Sequence, residues 1–176
     1  NKIITDLLSL VKMDKTSANL NIENRNLNEL IELILKRLRP IAKQRNIDVL
    51  YESAREVFAE IDEVKLTLAI SNLVENAIKY NKEYGYVKVS LDADHQFATI
   101  MVEDNGIGIP EEAQEHIFER FYRVDKSHSR EIGGTGLGLA IARNAILLHR
   151  GSIKIDSEEG QGTVFTVKIP IIYVSK

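Results

Sequence analysis

The chain has 176 residues, 44% of them hydrophobic, with a net charge of -3 and no cysteine. That suits one domain, or one domain plus an appendage, and it excludes disulfides, thiolate zinc sites and thiol nucleophiles. A pI near 5.9 argues against nucleic-acid binding, which favours a basic surface. No apolar run approaches the ~20 residues of a membrane helix, so the chain as given reads as soluble.

The elements follow in chain order. IITDLLSLVKMD spaces Ile3, Ile4, Leu7, Leu8, Leu10 and Val11 as an amphipathic helix. It has no N-cap and no small-residue cleavage site, so it reads as the tail of a longer helix and not as a signal peptide. KTSANLNIENRN is a polar connection with a short strand at residues 20–23. Asn26 followed by Glu29 is a helix start, and Leu27, Leu30, Ile31, Ile34, Leu35, Leu38 and Ile41 line one face. Pro40 in this run predicts a kink or a break.

IDVLYE and VFAEI are short strands, and Asp62 caps the next helix. Strands at residues 86–92 and 97–103 flank the turn ADHQ, which is a hairpin signal. Residues 104–134 are rich in glycine and charge, with one short helical piece near 111–121. A helix follows from about 136 to 149, with Gly151 as its left-handed cap. SIKIDSEEGQGTVFTVKIP is a second hairpin around EEGQG. Helices and strands come in blocks, which favours an α+β two-layer sandwich over a doubly wound parallel sheet.

Three stretches carry candidate chemistry. In NLVENAIKY, Asn72 and Asn76 are four residues apart and share a helix face with Lys79 and Tyr80, and Glu75 lies beside them. The plain alternative is a solvated polar face. In DNGIGIP, Asp104 ends an apolar strand before Gly106 and Gly108; the alternative is a tight Asp-Asn-Gly turn. In GGTGLGLAIA, Gly134, Gly136 and Gly138 open a helix, where backbone amides can cradle phosphate. A dinucleotide fingerprint needs a strand just before it, and a P-loop needs Gly-Lys-Ser/Thr; neither context is present. The four histidines, His95, His116, His128 and His149, show no zinc-ligand spacing.

Taken together, Asn72/Asn76, Asp104/Gly106/Gly108, Gly134/Gly136/Gly138 and Gly162-Thr163, in this order, resemble the ATP-binding domain of sensor histidine kinases. That domain belongs to the superfamily shared with gyrase, the heat-shock chaperone ATPase and MutL-type repair ATPases. FERFYRVD, residues 118–125, is similar to the phenylalanine box of the kinase branch. The resemblance implies a two-layer α/β sandwich of the Bergerat type, with a mixed sheet packed on one side by about three helices. Residues 1–18 would be the end of the dimerisation and phosphoacceptor helix pair with its linker, a helical stub, and residues 19–176 the catalytic domain.

The resemblance also implies roles. ATP and Mg2+ are the cofactors. Asn76 is the Mg2+ ligand, and Asn72 faces the phosphates or completes the metal shell. Lys79 neutralises phosphate charge, and Tyr80 lies beside the adenine. Asp104 accepts the adenine amino N–H, and Thr163 reaches the same edge through water. Glu75 corresponds to an acid that polarises the attacking group, and Arg123 to a lid arginine that meets the terminal phosphate. Gly106, Gly108 and Ile109, with Gly134, Thr135, Gly136, Leu137 and Gly138, bring backbone close to the nucleotide, and Gly133 and Gly134 hinge a lid over residues 109–133. Phe118 and Phe121 anchor that lid by packing, while Lys126, His128 and Arg130 are its solvated charges.

None of the four histidines sits in a phosphoacceptor-like run. The substrate histidine is therefore expected outside this chain, on the dimerisation domain of a homodimeric parent. The fragment is expected to be monomeric and cytoplasmic, and the parent to lie in the bacterial membrane and to serve a cognate response regulator. The competing reading is an ATP-driven conformational clamp of the gyrase, chaperone or MutL kind. The phenylalanine box and the short stretch after Pro170, with no room for a transducer domain, weigh against it. A third reading, a nucleotide-binding module without activity, is opposed by the intact motifs.

Overall fold

A computed structural model describes residues 20–119 and 138–174. The predicted helix at residues 3–14, and Phe121, Arg123, Lys126, His128, Arg130 and residues 133–137, lie outside the described residues.

Strand β1 (Ile22–Asn26) leads straight into helix α1 (Leu27–Gln44). Asn26 is the N-cap, its side chain accepting from the Glu29 amide at 3.1 Å, which satisfies one of the donors that a helix start leaves over. Leu27, Leu30, Ile31, Ile34, Leu35, Leu38 and Ala42 are buried. Pro40 does not break the helix: it is exposed, and Ala42 beyond it is in the core, so packing carries the chain past the missing amide.

β2 (Asp48–Ser53), β4 (Tyr86–Ala93), β5 (Phe97–Asp104), β7 (Gly162–Pro170) and β6 (Ser152–Glu158) form one five-stranded sheet in that spatial order. The β2–β4 pair is parallel and the other pairs are antiparallel. β1 and β3 (Phe58–Asp62) make a separate antiparallel pair. Strand side chains alternate between faces. Val87, Val89 and Leu91, Ala98, Ile100 and Val102, and Phe165, Val167 and Ile169 are buried from three adjacent strands. They join the buried faces of α1, α2 (Glu63–Lys79) and α4 (Gly138–Leu148) in one core.

Three long helices on one side of a mixed sheet is the sandwich expected. The cap of α4 differs from expectation: Arg150, with φ of 65°, holds the left-handed position, not Gly151. Gly151 instead lies against Lys168 O and the Ile169 side chain, where a Cβ has no room. Among the described residues the helical piece after the DNGIGIP loop is α3 (Glu111–Gln114), followed by turns as far as residue 119. Among the described residues no helix is long and apolar enough to cross a membrane.

Candidate functional site

Helix α2 carries the polar stripe, and both of its ends are fixed by side chains far away in sequence. At its start Asp62 is the N-cap, with Oδ1 accepting from the Lys65 amide at 3.0 Å and Oδ2 from the Asn21 amide at 2.9 Å. The Asp62 amide donates to Nε2 of His149 at 3.0 Å, and His149 Nδ1 lies 2.7 Å from Ala145 O. Nε2 therefore accepts and Nδ1 carries the proton. His149 is 2% exposed, and burial pushes its pKa below the usual value. It is a neutral core histidine that joins the end of α4 to the start of α2.

At the other end the Arg45 guanidinium donates to Ile78 O at 2.5 Å, Lys79 O at 2.6 Å and Asn81 O at 3.2 Å. These carbonyls lie at and just beyond the helix C-terminus, where intrahelical amide partners run out; Ile78 O also takes the Asn81 amide at 3.4 Å. The sequence gives no local sign of this cap, because Arg45 closes the preceding helix.

Of the stripe itself, Asn72 is buried at 8% exposure, so the solvated-face alternative fails for it. Its Nδ2 donates to Leu68 O at 3.0 Å, and its Oδ1 is the atom nearest the missing Cβ of Gly138, at 3.1 Å. The amide oxygen thus faces the first turn of α4. Glu75, Asn76, Lys79 and Tyr80 are half-buried.

The DNGIGIP loop docks on the end of this stripe. Ile107 N donates to Tyr80 O at 3.1 Å. Gly106 packs against Tyr80 O and Asn81 Cα, so only a residue without Cβ fits. Gly108 has φ of 71° and lies against Glu158 O, which makes it doubly dependent on glycine. Asp104 ends β5 at 8% exposure, its Oδ1 accepting from the Gly106 amide at 2.9 Å. Burial raises its pKa to about 6, against the lowering effect of the Gly106 and Thr163 amides.

Thr163 pairs with Asp104 across the β5–β7 ladder and is 5% exposed. Ile109 N donates to Ser157 Oγ at 2.8 Å, and Gln114 Nε2 donates to Ile109 O at 2.9 Å and Ser157 O at 3.1 Å. Phe118 meets Phe165 edge-on, with centroids 6.2 Å apart, which agrees with a packing role.

The structure therefore brings Asp104, Gly106, Gly108, Ile109 and Thr163 together between the loop after β5 and the β6–β7 hairpin, with Gly106 and Ile107 against Tyr80 and Asn81 at the end of α2 and Gly138 against Asn72. Sequence reasoning missed Arg45, Gln114, Ser157 and the buried Asn81, which donates to Tyr86 O at 2.9 Å. Only Ser157 gave a hint, as a hydroxyl before the second hairpin turn. Among the described residues no cluster of His, Asp and Glu could hold a metal.

Residues 61–172 match the family model described as histidine kinase-, DNA gyrase B-, and HSP90-like ATPase. The chain is 41% identical over 175 residues to the sensor histidine kinase RppB of Synechocystis, covering 99% of this chain and 38% of RppB. It is similar in structure to the nucleotide-free catalytic domain of histidine kinase ThkA, with a TM-score of 0.78 and 31% identity over 89% of this chain and all of that one. It is also similar to ThkA in complex with the response regulator protein TrrA, with a TM-score of 0.76 and 27% identity over 97% of this chain and 48% of that one.

Proposed function

The chain belongs to the histidine kinase-, DNA gyrase B- and HSP90-like ATPases and, within them, to the sensor histidine kinase catalytic domains; on that premise we propose that it binds ATP with Mg2+ and delivers the γ-phosphate to a histidine on a dimerisation helix outside this chain. The observation that carries the reading is Asp104. A carboxylate this buried, under-compensated and fixed at a strand end is poised to accept a charge-assisted hydrogen bond from a ligand N–H. The adenine amino group offers that donor.

Support for the metal comes from Asn72, whose oxygen faces the start of α4. An amide oxygen is a ligand suited to a hard cation that is also held by phosphate. Asn76, with Asn72 beside it, would hold the ion, which when bound would supply positive charge to offset that of the phosphates. Lys79 neutralises further phosphate charge, and Tyr80 flanks the base. Gly106, Gly108 and Ile109 admit backbone to the nucleotide. Gly138 opens α4, and Gly134, Thr135, Gly136 and Leu137 just before it complete the phosphate cradle. Glu75 polarises the attacking imidazole, and Arg123 meets the terminal phosphate. Phosphoryl transfer is mostly positioning and charge stabilisation, and these residue types suit it.

Residues 1–18 are assigned to the end of the dimerisation helix pair and 19–176 to the catalytic domain. The parent would be a homodimer at the bacterial membrane with this part cytoplasmic and monomeric when isolated; the ThkA–TrrA complex supports a response regulator as partner. The clamp reading is set aside because the relatives are sensor kinases. Calorimetry with ATP–Mg2+ tests the reading, together with radiolabelled ATP. Binding without self-labelling is expected. Failure to bind ATP, or acid-labile label on the chain alone, would overturn it.

A further inference from the structure

Ser157, at the end region of β6, is the hub of a closed hydrogen-bond set. Its Oγ accepts from the Ile109 amide at 2.8 Å, donates to Gly162 O at 2.9 Å, and lies 2.8 Å from Thr163 Oγ1. A serine hydroxyl has one proton and two lone pairs. With the proton on Gly162 O, one lone pair takes the Ile109 N–H. The remaining lone pair takes the Thr163 contact, and all three contacts are satisfied only if Thr163 is the donor. The single hydroxyl proton of Thr163 is then committed to Ser157, and only lone pairs are left for a ligand.

We propose that Ser157 is a positioning residue that fixes the Thr163 hydroxyl as an acceptor and so selects a purine bearing an exocyclic amino group over one bearing a keto oxygen at the same place. The inference rests on the ATP-site reading and names a determinant of its base selectivity. Thr163 lies in register with Asp104, and its amide helps hold the Asp104 carboxylate. Two acceptors thus adjoin one another, at 5% and 8% exposure. A 6-amino group presents N–H donors to them, whereas a 6-oxo group presents a third set of lone pairs. A water bridging the two would have both protons drawn to these acceptors, and it too would offer the base only lone pairs. A threonine without the Ser157 contact could rotate its proton toward a keto oxygen and lose the distinction.

The test is calorimetry of the 176-residue chain with ATP–Mg2+ and GTP–Mg2+, comparing wild type with Ser157→Ala, Ser157→Thr and Thr163→Val. Ser157→Ala also removes the acceptor for Ile109 N–H, so both affinities should fall. The ATP-to-GTP affinity ratio is the diagnostic, because loosening of the loop weakens both nucleotides alike. The ratio is expected to drop about tenfold in Ser157→Ala, the effect of roughly one hydrogen bond, and to survive in Ser157→Thr, which keeps the hydroxyl. Thr163→Val should lower the ratio by a similar factor, with Asp104 still reading the amino group, and adding Ser157→Ala to it should change the ratio no further. If Ser157→Ala weakens both nucleotides equally with the ratio kept, or Ser157→Thr loses the ratio as alanine does, Ser157 only straps the loop and the proposal is wrong. Thr163→Val decides the matter if Ser157→Ala fails to fold: an unchanged ratio there also overturns it. A wild-type chain that binds neither nucleotide, or both equally, overturns the ATP-site reading itself.

Discussion

Asp62 and Asp104 are both buried aspartates at strand ends, at 4% and 8% exposure, yet their carboxyls titrate in opposite directions. Burial pushes Asp62 up, but the Lys65 and Asn21 amides and the Lys65 ammonium outweigh it and leave its pKa below the usual value. Asp104 has the Gly106 and Thr163 amides, with Glu103 adding repulsion, and stands raised to about 6. One carboxylate has its partners within the fold. In the other, burial outweighs the two amide donors and the carboxyl stays harder to ionise. A buried acid fully matched by its own chain is structure, while one left under-matched in a cleft is a candidate site.

The comparison is tested most strongly by Asp104→Asn. ATP affinity should fall by about 1.5–3 kcal/mol, the range for a hydrogen bond to a charged group, while urea unfolding of the free protein shows no loss of stability. An equal loss of folding would put Asp104 in the same class as Asp62. The complementary change is His149→Ala, which strips the buried Asp62 amide of its acceptor. It should cost about 1–3 kcal/mol in urea unfolding and leave the ATP dissociation constant of the folded protein unchanged.

The pH dependence of stability should differ in sign between the two acids. Asp62, with its folded pKa lowered, contributes stability above about 3.8 that is lost as pH falls through its folded value. Asp104 is harder to ionise folded than unfolded, so its contribution is given up as pH rises from about 3.8 to about 6. Stability curves should therefore show Asp104→Asn gaining on wild type across that interval and holding the gain above it. The ATP affinity of wild type should decline below about pH 6, where the carboxyl takes up its proton, and that of Asp104→Asn should not share this decline. His149, whose folded pKa is lowered, contributes fully above its ordinary 6.5 and progressively less as pH falls below it. The smallest effect belongs to Lys65→Met. The Lys65–Asp62 pair is 3.6 Å apart, beyond hydrogen-bond distance, with side chains 19% and 6% exposed; because the Lys65 and Asn21 amides still hold the carboxylate, losing the ammonium should cost less than about 1 kcal/mol. A larger loss would mean that the ammonium, not the amides, holds Asp62 ionised.

Features whose partners lie nearby were readable in the chain. Asn26 and Asp62 bond to amides three residues on, and the glycines of the DNGIGIP loop stand in one short motif. Features whose partners come from elsewhere were not. His149 looked like a histidine without a motif, and its donor is 87 residues away. Arg45 caps carbonyls 33 to 36 residues on. Local propensity at Pro40 predicts a kink or a break; the helix continues through it to Gln44, with Ala42 buried beyond it.

By itself the sequence determined most of the elements, the buried face of α1 as far as Leu38 though not Ile41, which is exposed, and the ordered set of Asn, Asp, Gly and Thr that marks the family. Those depend on periodicity and on residue chemistry at fixed spacing, which a linear chain carries. Only the tertiary structure decided that Asn72 is buried and turned to the start of α4, that Asp104 is under-matched while Asp62 is not, and that Ser157 completes the set around Thr163. Burial and hydrogen-bond partnership are set by which strands and helices come together, and a pKa or a proton's position follows from the whole set of neighbours.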